Sequence, residues 1–236
     1  MFLVLQQIII MVLAFINRTF VAQRLGMEYL GYTTLFGNIF IWISFADMGF
    51  SAISYLLYGA LAKNDRTAVS ALVQMFRRGL RLAGISILVV GALITGVIPY
   101  LIKDVSTADI FEIYKIYWMQ LIAVVIPYFS THWRLYIQAN QEGYICTNLD
   151  SFIKVIISVG QFIVLASGKG IYIYLSVNLL GNTLSAVALE YIGRKKYADV
   201  IIPGTKAMPF RSTGLWREIK DYVVHRISML LYNSTD

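Results

Sequence analysis

Four charged side chains stand inside long apolar runs of this chain: Arg18, Asp47, Arg134 and Lys154. Three are cations and one is an anion, so the set carries a net +2. A cation in a low-dielectric cavity with no carboxylate of its own calls for an anionic partner. A phosphate or pyrophosphate would satisfy two cations together, and the planar guanidinium of arginine suits bidentate phosphate contact. A structural reading stays open beside this one. Arg18 and Asp47 can form a fixed ion pair, while Arg134 and Lys154 can snorkel to headgroups.

Polar residues that recur at helical spacing accompany the charges. Ser44, Asp47, Ser51 and Ser54 step by 3, 4 and 3, which puts them on one helical face. Gln120, Pro127, Thr131, Arg134 and Gln138 do the same, as do Ser151, Lys154, Ser158 and Gln161. Tyr174, Asn178, Asn182 and Ser185 form a wider stripe. Each stripe alone could hydrogen-bond a neighbouring helix, and Gly181 with Ser185 reads as a close-packing pair. Four aligned stripes predict a shared, water-accessible cavity. Its expected substrate-binding residues are Arg18, Asp47, Arg134, Lys154, Gln161, Asn178 and Asn182.

The elements that must carry these residues are membrane helices. Apolar residues make up 58% of the 236 positions, charged residues 14%, and mean hydropathy is +0.67. A soluble domain carries about 25% charged residues, so this chain lacks the polar surface to cover a water-soluble globule. A helix needs about 20 apolar residues to cross the hydrocarbon core. Six full spans follow, over roughly 2–22, 32–57, 80–102, 113–137, 152–166 and 171–192, and a seventh begins near Tyr222. Strand-like alternation is absent, so the fold class is all-α: a polytopic transmembrane bundle. Pro127 is expected to kink the fourth span.

The loops carry the orientation signal. Lys63, Arg66, Arg77, Arg78 and Arg81 share one side with Arg194, Lys195, Lys196, Lys206, Arg211, Arg217 and Lys220. The other side offers only Arg24, Lys103 and Lys169. By the positive-inside rule the amino terminus is cytoplasmic. Residues 1–192 form the expected six-helix lobe. Residues 193–221, with Pro203, Gly204, Pro209 and Gly214, form a linker, and 222–236 begin a second, incomplete lobe. The first apolar run lacks a charged n-region and a cleavage site, so it reads as a span rather than a signal peptide.

Several chemistries find no support in the sequence. The net charge of +7 lies in loops without an aromatic platform, which argues against nucleic acid. The lone Cys146 permits no internal disulfide. His132 and His225 lack metal-site neighbours in sequence, no phosphate-cradling glycine loop occurs, and no nucleophile–base set suggests an enzyme. Asn17-Arg18-Thr19 and Asn233-Ser234-Thr235 match the glycosylation pattern but lie in or beside spans, as chance matches would.

An ordered set of short motifs has a familiar form. It runs Arg18-Thr19-Phe20, Leu25-Gly26-Met27-Glu28-Tyr29-Leu30-Gly31, Ala46-Asp47-Met48-Gly49-Phe50, Tyr55-Leu56-Leu57-Tyr58 and Lys63-Asn64-Asp65. It continues through Gln138-Ala139-Asn140-Gln141-Glu142-Gly143-Tyr144-Ile145, His225-Arg226-Ile227-Ser228 and Ser234-Thr235-Asp236. The set resembles the N-terminal half of the Wzx-type polysaccharide flippases, within the multidrug/oligosaccharidyl-lipid/polysaccharide exporter superfamily. Asp47, Arg226 and Asn140 depart from the more usual Glu, Lys and Asp.

The resemblance implies two six-helix lobes around a cationic cavity, working by alternating access in the bacterial cytoplasmic (inner) membrane. The implied substrate is an undecaprenyl-pyrophosphate-linked repeat unit of O-antigen or capsule. Implied partners are membrane lipids, a polysaccharide polymerase and chain-length machinery. No cofactor is expected beyond a coupling cation, H+ or Na+. Alternatives are a cation-coupled drug exporter of the same superfamily, a membrane-embedded glycan polymerase or acyltransferase, and a scaffold lobe that does not transport.

Overall fold

The computed structural model describes residues 2–44, 55–102 and 107–208, and every regular element within them is helical. The long elements are α1 (Phe2–Arg24), α2 (Met27–Ile43), α3 (Tyr55–Ala62), α4 (Arg66–Thr95), α5 (Thr107–Val125), α6 (Thr131–Ala139), α7 (Tyr144–Ala166) and α8 (Ile171–Lys196). Among them lie a one-turn helix at Ile98–Leu101 and 3-10 turns at Ile126–Phe129 and Ala198–Val200. Residues 45–54 of the expected second span, Asp47 among them, and the expected seventh span lie outside the described residues.

Among the described residues, four stretches are long and apolar enough to cross a membrane: Arg66–Thr95, Ile110–Phe129, Tyr144–Ala166 and Ile171–Lys196. Their outer faces are apolar and exposed. On α4 these are Leu82, Ile85, Val89 and Leu93; on α8 they are Leu180, Leu184, Val187 and Tyr191. Steps of 3 and 4 place each set on one face, and water would not tolerate such stripes while lipid does. The chain is a membrane protein by this pattern.

Four helices begin earlier than hydropathy predicts: α2 at Met27, α5 at Thr107 and, by the most, α4 and α7. The third span was expected from residue 80, with Lys63 to Arg81 in a loop, whereas α4 starts at Arg66. The Asp65 side chain caps it, accepting hydrogen bonds from the backbone N–H of Thr67 (3.1 Å) and Ala68 (3.0 Å). Val69, Leu72, Val73, Phe76 and Leu80 then bury one face, so the charged opening turns are an amphipathic helix. Likewise α7 starts at Tyr144 rather than near residue 152.

The expected kink is present. Pro127 cannot continue the ladder, and the fourth span breaks into α5, the 3-10 turn Ile126–Phe129 and α6. Thr131 Oγ1 donates to the Pro127 carbonyl at 2.9 Å. The linker is not wholly free either. α8 runs to Lys196, and the segment behind it returns to α4, where the Ile202 N–H donates to the buried Ser70 hydroxyl at 3.0 Å.

Aromatic and close-backbone packing hold the helices together. Tyr117 on α5 packs edge-on against Phe36 of α2 at 5.1 Å, and its hydroxyl donates to the Gly91 carbonyl of α4 at 2.7 Å. Phe20 of α1 meets Phe162 of α7 at 5.2 Å. At Gly181 an added Cβ would lie 2.2 Å from Ile157, so α8 and α7 approach backbone to side chain, as the small-residue pattern predicts. Contacts run α1 to α2, α2 to α5, α5 to α8, α8 to α7 and α7 back to α1. These five helices close a ring, with α4 and α6 packed outside it.

Candidate functional site

The ring encloses a cavity of about 630 Å³. α1 lines it with Asn17 and Arg18, α2 with Thr33, Phe40 and Ser44, and α5 with Gln120 and Ala123. α7 contributes Ser158 and Gln161, and α8 contributes Tyr174, Asn178 and Asn182. Helical spacing explains the convergence. Ser158 and Gln161 are 3 apart, and Tyr174, Asn178 and Asn182 are 4 apart, so each set presents its polar groups along one side of its helix.

Two amides lock helices together while facing this space. Asn17 is 4% exposed; its Nδ2 donates to the Ser158 carbonyl of α7 at 3.1 Å, and its Oδ1 has no hydrogen-bond partner. Asn182 Nδ2 donates across to the Ala123 carbonyl of α5 at 3.2 Å. Each bond satisfies a carbonyl at a point where helices must be held apart around a void.

Of the expected site residues, Arg18, Gln161, Asn178 and Asn182 line the cavity. Arg18 makes no ion pair among the described residues, and Asp47 lies outside them. Arg134 and Lys154 do not line the cavity. The expectation that Arg134 has no carboxylate is corrected: on α6 it forms a two-armed pair with Asp150 of α7. Its Nη1 lies 2.5 Å from Oδ2 and its Nη2 2.8 Å from Oδ1. Lys154 is exposed on the outer side of α7. Arg18 is therefore the one charged residue lining the cavity among the described residues.

Asn17 was missed because its triad resembles a glycosylation site, yet its side chain is an interhelical bridge. Its place beside Arg18 in an apolar run was the available signal. Asp150 was missed because residues 144–151 read as a loop. As the first turns of α7, they bring its carboxylate to Arg134.

A second polar cluster ties the basic end of the bundle. Glu142, between α6 and α7, accepts hydrogen bonds from Lys196 Nζ at 2.5 Å, from Asn140 Nδ2 at 3.1 Å and from the Tyr197 hydroxyl. The Lys196 ammonium first, then Tyr197, hold its carboxyl below the usual glutamate range. Burial, with Glu142 as acceptor, pushes the Tyr197 hydroxyl up to about 12.

His132 on α6 is 1% exposed with both ring nitrogens unpaired, and its Nε2 lies 3.7 Å from Glu190 of α8. Among the described residues no cluster of three His, Cys, Asp or Glu side chains could hold a metal ion. In comparisons with known proteins, no family model matches the chain, no curated protein matches it, and no solved structure matches it.

Proposed function

We propose that this chain is the first lobe of a membrane transporter that flips a lipid-linked oligosaccharide, pyrophosphate end included, across the bacterial cytoplasmic membrane. The observation that carries the reading is the five-helix ring, whose cavity brings amides of α1, α7 and α8 together with Arg18, the one charged residue lining it among the described residues. Asparagine and glutamine each donate and accept, which matches the hydroxyl and acetamido groups of sugars. Arg18 supplies the complement to phosphate. Asp47 would orient Arg18 or respond to a coupling cation, and the motif resemblance supplies the substrate class. Arg134 enters this reading as a support of the lobe through Asp150, and Lys154 as an exposed residue outside the site.

A drug exporter would instead need a carboxylate for its cationic substrates, and none lines the cavity among the described residues. The test is Arg18→Ala in the complete protein, expressed in cells lacking their own flippase. Loss of one charge-assisted contact worth about 1.5–3 kcal/mol lowers repeat-unit export by roughly tenfold to a hundredfold. Protein level in the membrane stays normal. Wild-type polymer yield at equal protein level overturns the assignment.

A further inference from the structure

On the outer side of the ring, a second cleft of about 520 Å³ opens between α4, the 3-10 turn and α8. Its walls are apolar: Ile126, Phe129, Ala186 and Val187, with the Tyr191 ring. Its head is charged, with Arg81 of α4 and Arg194 and Glu190 of α8. Arg77 stands one turn before Arg81 on α4. Two guanidiniums thus share the head with one carboxylate, and Arg77, which lines a separate pocket, adds positive charge nearby.

Arg194 Nε donates to Glu190 Oε1 at 2.8 Å, while Oε2 has no hydrogen-bond partner and lies 3.7 Å from His132 Nε2. The Nε atoms of Arg81 and Arg77 are buried and have no hydrogen-bond partner. Buried guanidinium donors without acceptors are costly, and neighbouring positive charge compounds the cost. A ligand with acceptor-only oxygens and negative charge would relieve both. The apolar wall says what else that ligand carries. Val187 and Tyr191 belong to the exposed stripe of α8, so the cleft continues into the face that meets hydrocarbon.

We propose that this cleft binds one anionic phospholipid, its headgroup phosphate on Arg81 and Arg194 and an acyl chain along Phe129 and Val187. Free phosphate would fill the head and leave the apolar wall bare. A zwitterionic headgroup would leave the excess cationic charge unanswered.

The experiment uses the complete protein in nanodiscs of phosphatidylglycerol or phosphatidylcholine, extracted gently and weighed by native mass spectrometry. Phosphatidylglycerol should stay bound and phosphatidylcholine should not, and millimolar inorganic phosphate should fail to displace the lipid. Each surface cation is worth about 1 kcal/mol toward an anionic lipid, so Arg81→Gln with Arg194→Gln should weaken retention about thirtyfold. Arg78→Gln, at an exposed position outside the cleft, should not. Val187→Trp, at an exposed position, should expel the lipid by filling the cleft with both arginines intact, which covers the case of a double variant that fails to fold. Retention unchanged in the double variant or in Val187→Trp overturns the proposal. So does equal retention of phosphatidylcholine, or displacement of the lipid by inorganic phosphate.

Discussion

Arg134 decides between two roles, and its pair with Asp150 makes the decision measurable. Both arms of the guanidinium are engaged, at 2.5 and 2.8 Å, with the two side chains 27% and 30% exposed. Fully exposed pairs couple by about 0.2–1 kcal/mol. Removing one partner from a fully buried pair costs about 3–5 kcal/mol. At this intermediate exposure, with both arms in place, a coupling of about 1–2 kcal/mol is expected. Arg134→Gln leaves the Asp150 carboxylate facing a neutral amide, and Asp150→Asn leaves the guanidinium without its anion. Each single variant should lose about 1–2 kcal/mol of stability, and the double variant should lose about as much as either one. The assay is reversible denaturant unfolding of the complete protein in detergent, run as a double-mutant cycle beside repeat-unit export in cells. Export by the double variant should match that of either single variant, because the defect is one of packing α6 against α7. Two results refute the reasoning. One is additivity within about 0.3 kcal/mol. The other is an Arg134→Gln protein of wild-type stability that exports nothing and is not rescued by Asp150→Asn, which would make Arg134 a substrate ligand.

Three further perturbations test the packing and the tie at the basic end. A Cβ on Gly193 would lie 2.2 Å from the ring of Trp133, which is 1% exposed and has no room to move. Gly193→Ala should therefore cost about 1–3 kcal/mol in the same unfolding assay. Gly59→Ala, in α3 with nothing within 4 Å of the new methyl, should gain about 0.5–1 kcal/mol from reduced backbone freedom. Glu142 has a depressed carboxyl pKa, so its contribution is present above the unfolded value and is lost as pH falls through the folded one. Glu142→Gln should melt below wild type at neutral pH. That gap should close as pH falls below the ordinary glutamate range of about 4.5. A gap that persists in acid rules the tie out.

Helical periodicity made much of the cavity legible. Gln120, Ser158, Gln161, Tyr174, Asn178 and Asn182 all came from 3- and 4-residue steps, and all line the same space. The same rule set Arg134 and Lys154 on polar faces but could not say what those faces meet. Arg134 meets Asp150, and Lys154 meets solvent or headgroups at the exposed side of α7. Which neighbour a helical stripe faces depends on helix rotation, and rotation is fixed by contacts distant in sequence. The ends of α4 and α7 were hidden for a different reason. A hydropathy window averages over charge, so the amphipathic turns from Arg66 to Arg81 looked like loop although their apolar residues kept helical spacing. Asp65 as a cap was the local sign of a start there.

The lining of amides with Arg18 also bears on how an apolar bundle can hold a polar cavity at all. A charge at membrane depth is expensive unless paired, and a lobe with several free cations would pay that cost before any substrate arrived. Amides avoid it because one side chain has both a donor and an acceptor end. Asn17 spends its donor on the Ser158 carbonyl, bridging α1 to α7, and keeps its acceptor unpaired. Replacing that residue by leucine would remove the bridge and the acceptor together, whereas an added charge in its place would have to be neutralised in the empty state. A cavity built from amides, with the single arginine held at its edge, can be empty or filled without either state being prohibitive. On the transport reading proposed above, that tolerance suits a site that would have to release what it binds.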